Sequence, residues 1–329
     1  MTGNIAKTKM QKSNHWAQLE EKGVYWGFRT MVALFRLLGP RVIKVFLIFV
    51  ISYFFVTGFS ARRASRDFLT RAWELDKNPS QDKPGLRDSF RHFWSFGTAI
   101  VDKFSAWSGR FSLGDVEYTG LEIYQNLAAK GQGAVLVTAH LGNIEVCRAL
   151  SRFRSGLKIN VLVHTKHAGN FNRLLNEQTS DAQIRLIQVS EVGLDTAMVL
   201  QEKVAAGEFV VIAADRIPIS SQQHVKMVPF MGKPAPFPKG AFILASILQC
   251  PVIQIFCVKQ NNRFHIFLEK LGDMTNVARK KRSALVDEMV TTFANRLAYY
   301  AQTYRYQWFN FYDFWDQPVS RMVHNKIVE

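Results

Sequence analysis

The run from Gly133 to Leu150, GAVLVTAHLGNIEVCRAL, sets the architecture of the chain. Small and β-branched apolar residues from Ala134 to Ala139 predict a buried strand, which stops at His140. Gly142 and Asn143 allow a tight turn, and Val146, Ala149 and Leu150 then fall at helical spacing. A His at the carboxyl end of a strand in an open α/β sheet points into the crevice where ligands bind.

Outward from this run, helices and strands alternate. Helices are expected at Leu121 to Lys130, Phe171 to Gln178, Leu194 to Ala205, Gly240 to Leu248 and Ser283 to Tyr304. Strands are expected at Ile159 to Val163, Arg185 to Val189, Phe209 to Ala214, Val252 to Val258 and Phe264 to Leu268. Such alternation predicts an α/β fold with a mostly parallel sheet flanked by helices. Residues 67–329 are expected to form this domain, and residues 1–66 an N-terminal membrane-associated helical region.

His140 and Glu145 suit general-base chemistry. A carboxylate that accepts from one ring nitrogen fixes the tautomer and leaves the other nitrogen free to take a proton from a hydroxyl. Five positions is the wrong rotation on a regular helix, so the pairing needs the turn at Gly142. The plainer alternative is a structural His beside a solvated Glu at a helix start. Asp215-Arg216 ends a second strand and so belongs to the same crevice. Arg216 can hold a phosphate or carboxylate in two-point fashion, with Asp215 orienting it or contacting a hydroxyl; a local surface ion pair is the alternative. Ile217 to Val228 reads as a loop at the site mouth. Pro229, Pro234, Pro236 and Pro238 exclude a central strand over Val228 to Lys239, and a rigid loop there brings Gly232 and the charge of Lys233 towards an acyl thioester or phosphate.

With 329 residues and 48% hydrophobic content the chain can bury a large core. Its 42 Lys and Arg against 26 Asp and Glu give a formal charge of +16, which implies an anionic partner: nucleic acid, anionic lipid or an acidic protein. No helix-turn-helix, zinc or aromatic RNA-binding signature supports the first. The three cysteines lack metal or redox spacing and read as reduced or buried thiols. His140, His164 and His167 match no common metal site, so no metal is expected. There is no Gly-x-Ser-x-Gly elbow, no phosphate loop ending in Gly-Lys-Ser/Thr, and no dinucleotide fingerprint.

Near the N-terminus, Phe28, Met31, Val32, Phe35 and Leu38 lie on one face of a basic amphipathic helix closed by Gly39-Pro40. Val45 to Ala61 carries no charge and is borderline for a span, which needs about 20 apolar residues. Arg41 and Lys44 before it, and Arg62, Arg63 and Arg66 after it, choose no orientation, so a helix pair lying on anionic lipid fits equally well. A buried core helix is the soluble alternative. Phe90, Phe93, Trp94, Gly97, Val101 and Phe104 form a helical stripe for packing or for an acyl tail. The aromatic segment Trp308 to Trp315 suits a membrane-interface belt or a cap on the core.

His140-Leu-Gly-Asn-Ile-Glu145 at a strand end resembles the histidine, four residues, acidic motif of the lysophospholipid acyltransferase superfamily. Glu after His-Leu-Gly-Asn is similar to the lipid A late acyltransferase (lauroyl and myristoyl transferase) branch. Val228-Pro-Phe-Met-Gly-Lys-Pro-Ala235 resembles that branch's Val-Pro-Phe-Phe-Gly-x-Pro-Ala segment, and Tyr306-Gln307-Trp308 its Tyr-x-Trp. The branch usually carries a polar residue in place of Arg216 and a basic run after the Trp, which this chain lacks. The resemblance implies an O-acyltransferase at the cytoplasmic face of the bacterial inner membrane. It moves a fatty acyl chain from an acyl carrier protein or CoA thioester to a hydroxyl of an amphiphilic lipid such as a lipid A precursor. His140 would be the base oriented by Glu145, with amides around Gly142 and Asn143 at the oxyanion and no cofactor. A glycerophospholipid, an aminolipid or a lipid-linked polyene are alternative acceptors.

Overall fold

The computed structural model describes residues 24–76, 82–107, 113–144, 146, 158–163, 184–188, 194–218 and 224–317. An N-terminal group of helices, α1 (Val24–Thr57, broken at Gly39, whose φ 74° and ψ 171° are not helical), α2 (Phe59–Glu74) and α3 (Leu86–Trp107), precedes the sheet domain. Next come β1 (Val116–Thr119), α4 (Leu121–Ala129), β2 (Ala134–Thr138), β3 (Ile159–Val163) and β4 (Ile184–Gln188). The chain continues through α5 (Leu194–Ala205), β5 (Phe209–Ala213), β6 (Val225–Phe230), β7 (Lys233–Pro238), α6 (Gly240–Leu248), β8 (Pro251–Gln260), β9 (Arg263–Asp273) and α7 (Arg279–Thr303). The helix expected over Phe171 to Gln178 lies outside the described residues, as do His164 and His167.

Seven strands form one sheet in the order β1-β9-β8-β2-β5-β3-β4. Every neighbouring pair is parallel except β8 and β9, an antiparallel hairpin turned at Asn261 and Asn262. Both asparagines take positive φ (50° and 63°), as the favoured two-residue hairpin turn requires. The mostly parallel α/β sheet expected from the alternation is therefore present; the short edge strand β1 is additional.

β2 sits in the middle of the sheet and is buried on both faces. Val135 and Val137 face one cluster, with Leu200, Phe242 and Phe293 from the helices beyond. Ala134 and Leu136 face the other, against Phe209, Ile253 and α4. Each fully buried side chain of this kind stabilises by about 1.5–3 kcal/mol.

The Pro-rich segment is a hairpin, β6 against β7, and not a loop. Met231 (φ 48°) and Gly232 (φ 82°) make its turn between Phe230 and Lys233, the first hydrogen-bonded pair. Antiparallel pairs alternate between bonded and non-bonded. Counting outward, Pro229↔Pro234, Met227↔Pro236 and Val225↔Pro238 all fall on non-bonded positions. No ladder bond is lost, so a separate two-stranded ribbon tolerates what a central strand could not.

In the N-terminal helices Ile43, Leu47 and Ile51 of α1 pack on Phe93, Val101 and Phe104 of α3. Gly97 permits this approach: a Cβ there would lie 2.8 Å from Ile51 Cδ1. The α3 stripe is thus committed to packing under α1. From Val45 to Phe54 the other face of α1 is exposed and apolar, with Val45, Phe46, Phe49, Tyr53 and Phe54 outward and Phe49 70% exposed. The uncharged run Val45 to Ala61 is not one helix, because the chain bends 92° between α1 and α2 at Gly58. Among the described residues no single helix is long and apolar enough to cross a membrane; only the bent pair Val42–Thr57 and Phe59–Glu74 has that length and composition together.

Candidate active site

Strand register brings the principal groups together. β2 and β5 run parallel with Thr138 opposite Ala213, and the Ala214 amide donates to the Thr138 carbonyl at 2.9 Å. Each chain then continues two residues past its last pair, so His140 and Asp215 emerge side by side at the carboxyl edge of the sheet.

His140 and Asp215 make two hydrogen bonds. The His140 amide donates to Asp215 Oδ2 at 2.9 Å, and Nδ1 lies 2.8 Å from Oδ1. A carboxylate only accepts, so Nδ1 carries the proton and Nε2 keeps its lone pair. The carboxylate on Nδ1 is therefore Asp215, where the sequence spacing assigned that contact to Glu145; Glu145 itself lies outside the described residues. The Asp215 side chain is 3% exposed and that of His140 37%, so the pair has one sealed member and one open to a substrate.

Electrostatics reinforce this division. Partial burial lowers the His140 pKa, the Arg216 guanidinium lowers it further, and Asp215 opposes both. Burial alone raises Asp215, but His140 and Arg216 outweigh it and hold the carboxyl at about 2. The imidazole thus stays neutral and basic while its partner stays ionised. Arg216 also donates to the Phe309 carbonyl at 3.4 Å and lies over the Tyr312 ring.

Sequence reasoning missed the support beneath Asp215. The indole Nε1–H of Trp308 donates to Oδ2 at 3.2 Å, and Trp308 is 1% exposed among Phe68, Phe230 and Phe314. The Trp308 carbonyl accepts from His92 Nε2 at 2.9 Å, and His92 Nδ1 accepts from Ser65 Oγ at 3.0 Å. Ser89 Oγ donates to Ser65 at 3.0 Å and ends the chain of bonds. Burial lowers the His92 pKa to about 4, so its ring is neutral. The only signal for Trp308 was its place in Tyr306-Gln307-Trp308; nothing local marked His92.

The turn after His140 corrects a second expectation. The Gly142 amide donates to the Gln307 carbonyl and the Asn143 amide to the Cys257 carbonyl, both at 2.7 Å. Neither is left for an oxyanion, because the segment bridges the end of β8 to the chain at Trp308. Gly142 has φ 67°, and a Cβ there would lie 1.9 Å from the Cys257 oxygen, so this crossing requires glycine. Asn143 Nδ2 donates to the Ala99 carbonyl at 2.9 Å. Gly232 and Lys233, by contrast, lie at the β6–β7 turn, and no hydrogen bond or ion pair among the described residues joins them to His140 or Asp215. The described residues hold no cluster of His, Cys, Asp and Glu that could bind a metal.

A neutral, partly exposed imidazole on a buried carboxylate, with a guanidinium nearby, can deprotonate a hydroxyl and steady the negative charge that follows. Comparison with curated proteins gives no match. The bacterial lipid A biosynthesis acyltransferase family matches residues 10–304, which takes in the helices α1 to α3, the whole sheet, and His140 with Asp215. The chain belongs to the bacterial lipid A biosynthesis acyltransferase family.

Proposed function

We propose that the protein transfers a fatty acyl group from a thioester on acyl carrier protein to a hydroxyl of a membrane lipid, at the cytoplasmic face of the bacterial inner membrane. The observation that carries this reading is the 2.8 Å contact between His140 Nδ1 and Asp215, which keeps Nε2 of this partly exposed ring a base. Nε2 takes the proton of the acceptor hydroxyl as its oxygen attacks the thioester carbonyl carbon. The tetrahedral intermediate then collapses, the C–S bond breaks, and the leaving thiolate takes the proton back from His140. Arg216, in place of the amides of Gly142 and Asn143, supplies positive charge near the oxyanion.

The outward face of α1 supports a membrane setting. Its exposed apolar side chains, followed by exposed Arg63 and Arg66 on α2, suit an anionic bilayer surface. The net charge of +16 also suits an acidic carrier protein. Acceptors other than a lipid A precursor are favoured by one departure: after Trp308 the chain continues in aromatic and acidic residues, without a basic residue before Arg321 to meet a phosphorylated head.

Mass spectrometry of lipid extracts from cells with and without the protein, and with His140→Ala, tests the reading. One lipid species should gain an acyl chain only with the intact protein. A folded His140→Ala protein that yields the same species at near wild-type level overturns the mechanism.

A further inference from the structure

A cleft of about 330 Å³ opens beside Gly142 and Asn143, two and three residues after His140 in the chain. Ser95, Thr98, Asn143, Asn261, Asn262 and Gln307 line it together with Phe264 and Phe309. We infer that this cleft holds the uncharged, hydroxyl-bearing head of the lipid acceptor and presents one of its hydroxyls to the neighbouring imidazole. The inference rests on the acyltransferase reading above and names the chemistry of its acceptor.

Charge is the first reason. Among the described residues the only ionised side chains on the lining are Asp102 and Lys259, and they neutralise each other: Lys259 Nζ donates to both carboxylate oxygens, at 2.7 and 2.9 Å. A site for phosphate or carboxylate needs cations that are not already matched. This chain has 42 Lys and Arg, yet among the described residues it brings only a compensated one to the cleft.

The second reason is an unmet acceptor. Asn143 is 3% exposed and its Nδ2 is committed to Ala99, but its Oδ1 has no hydrogen-bond partner. A buried carbonyl oxygen left so costs about 1–3 kcal/mol, and, sealed as it is, Oδ1 meets an incoming O–H or N–H donor only when the Asn143 side chain shifts towards the cleft. The amides of the two turn asparagines and the Ser95 hydroxyl offer further donors and acceptors, and Thr98 Oγ1, which donates to the Ser95 carbonyl at 2.9 Å, still accepts, a pattern suited to a polyol. An acyl chain finds no apolar wall of its length here, and the volume lies at the low end of the roughly 300–1,000 Å³ typical of small-ligand sites. A single ring-sized unit fits that space better than an extended thioester arm.

Position supplies the third. Gly142 and Asn143 follow His140 directly in the chain, and the Phe309 amide donates to the His140 carbonyl at 2.8 Å. Floor and side of the cleft are therefore fixed to the backbone that carries the imidazole.

Saturation-transfer NMR on the full-length protein in micelles tests the inference without requiring turnover. The probes are methyl β-glucoside, glucose 1-phosphate and pantetheine. Wild type should saturate methyl β-glucoside and leave glucose 1-phosphate weak. Thr98→Phe, which fills the cleft from α3, should abolish the glucoside signal. Asp102→Asn unpairs Lys259 and should reverse the preference towards the phosphate, giving a second readout should Thr98→Phe not fold. A stronger wild-type signal from glucose 1-phosphate, or a glucoside signal that survives in folded Thr98→Phe, overturns the proposal. So does pantetheine as the only probe displaced by Thr98→Phe, which would give the cleft to the donor arm. Because binding is read directly, glucoside capture by a protein that shows no acyl transfer would separate a failed mechanism from a failed cleft.

Discussion

Replacing Asp215 by Asn keeps the shape of the side chain and reverses half of its hydrogen-bonding character. Three N–H groups converge on the carboxylate: His140 Nδ1 on Oδ1, and the His140 amide with the Trp308 indole on Oδ2. Asn offers one oxygen and one NH₂. If its NH₂ took the Oδ2 side it would face two fixed donors, at about 1–3 kcal/mol for each unpaired group, or roughly 2–6 kcal/mol together. The amide therefore turns its oxygen to those two and its NH₂ to Nδ1. Nδ1 must then accept, the proton moves to Nε2, and the base is lost. Each 1.36 kcal/mol is tenfold, so kcat should fall by roughly 10²–10⁴, with the protein folded and the KM for the thioester little changed. The assay is purified protein with acyl carrier protein thioester and a responsive lipid extract, the product followed by mass spectrometry. A folded Asp215→Asn enzyme with kcat within about threefold of wild type would falsify the assignment. Were Glu145→Ala to show the large loss instead, Glu145 would be the carboxylate that orients His140.

Two further outcomes follow from ionisation. His140 acts as a base in its neutral form, and its pKa is lowered by burial and Arg216, so the acid limb of the pH-rate profile should lie below the ordinary imidazole value of about 6.5. Arg216→Gln removes one depressing charge and should move that limb to higher pH; an unmoved limb shows that Arg216 does not act on His140. His92 is neutral in the folded protein down to about pH 4 but protonates at about 6.5 when unfolded, so stability should fall as pH drops through that window, by about 3 kcal/mol in all. Urea unfolding at pH 7 and pH 4 should show the loss in wild type and a smaller one in His92→Gln; equal losses would mean that His92 is not the group responsible.

Whatever was written in short range was legible. Ala134 to Ala139 announced a buried strand, His140 its end at the carboxyl edge of the sheet, and the helix–strand alternation a mostly parallel sheet. What failed to show was partnership across the fold. Glu145 looked like the mate of His140 because it lies close in the chain, whereas Asp215 is 75 residues away and arrives only because β2 and β5 pair in parallel at one register. Gly142 and Asn143 looked like free amides for the same reason: their acceptors, Gln307 and Cys257, belong to distant segments that no local pattern places there. The hairpin β6–β7 differs, because its register was written in the chain and went unread. Pro229, Pro234, Pro236 and Pro238 counted against a central strand, yet they alternate along the segment so that each falls on a non-bonded position around Met231-Gly232. A proline excludes a strand only where its missing N–H is needed, so the parity of successive prolines about a turn carries more information than their number. Asp215 offers no such parity. Its place beside His140 depends on a pairing between two strands, and that pairing depends on the apolar faces buried on both sides of the sheet.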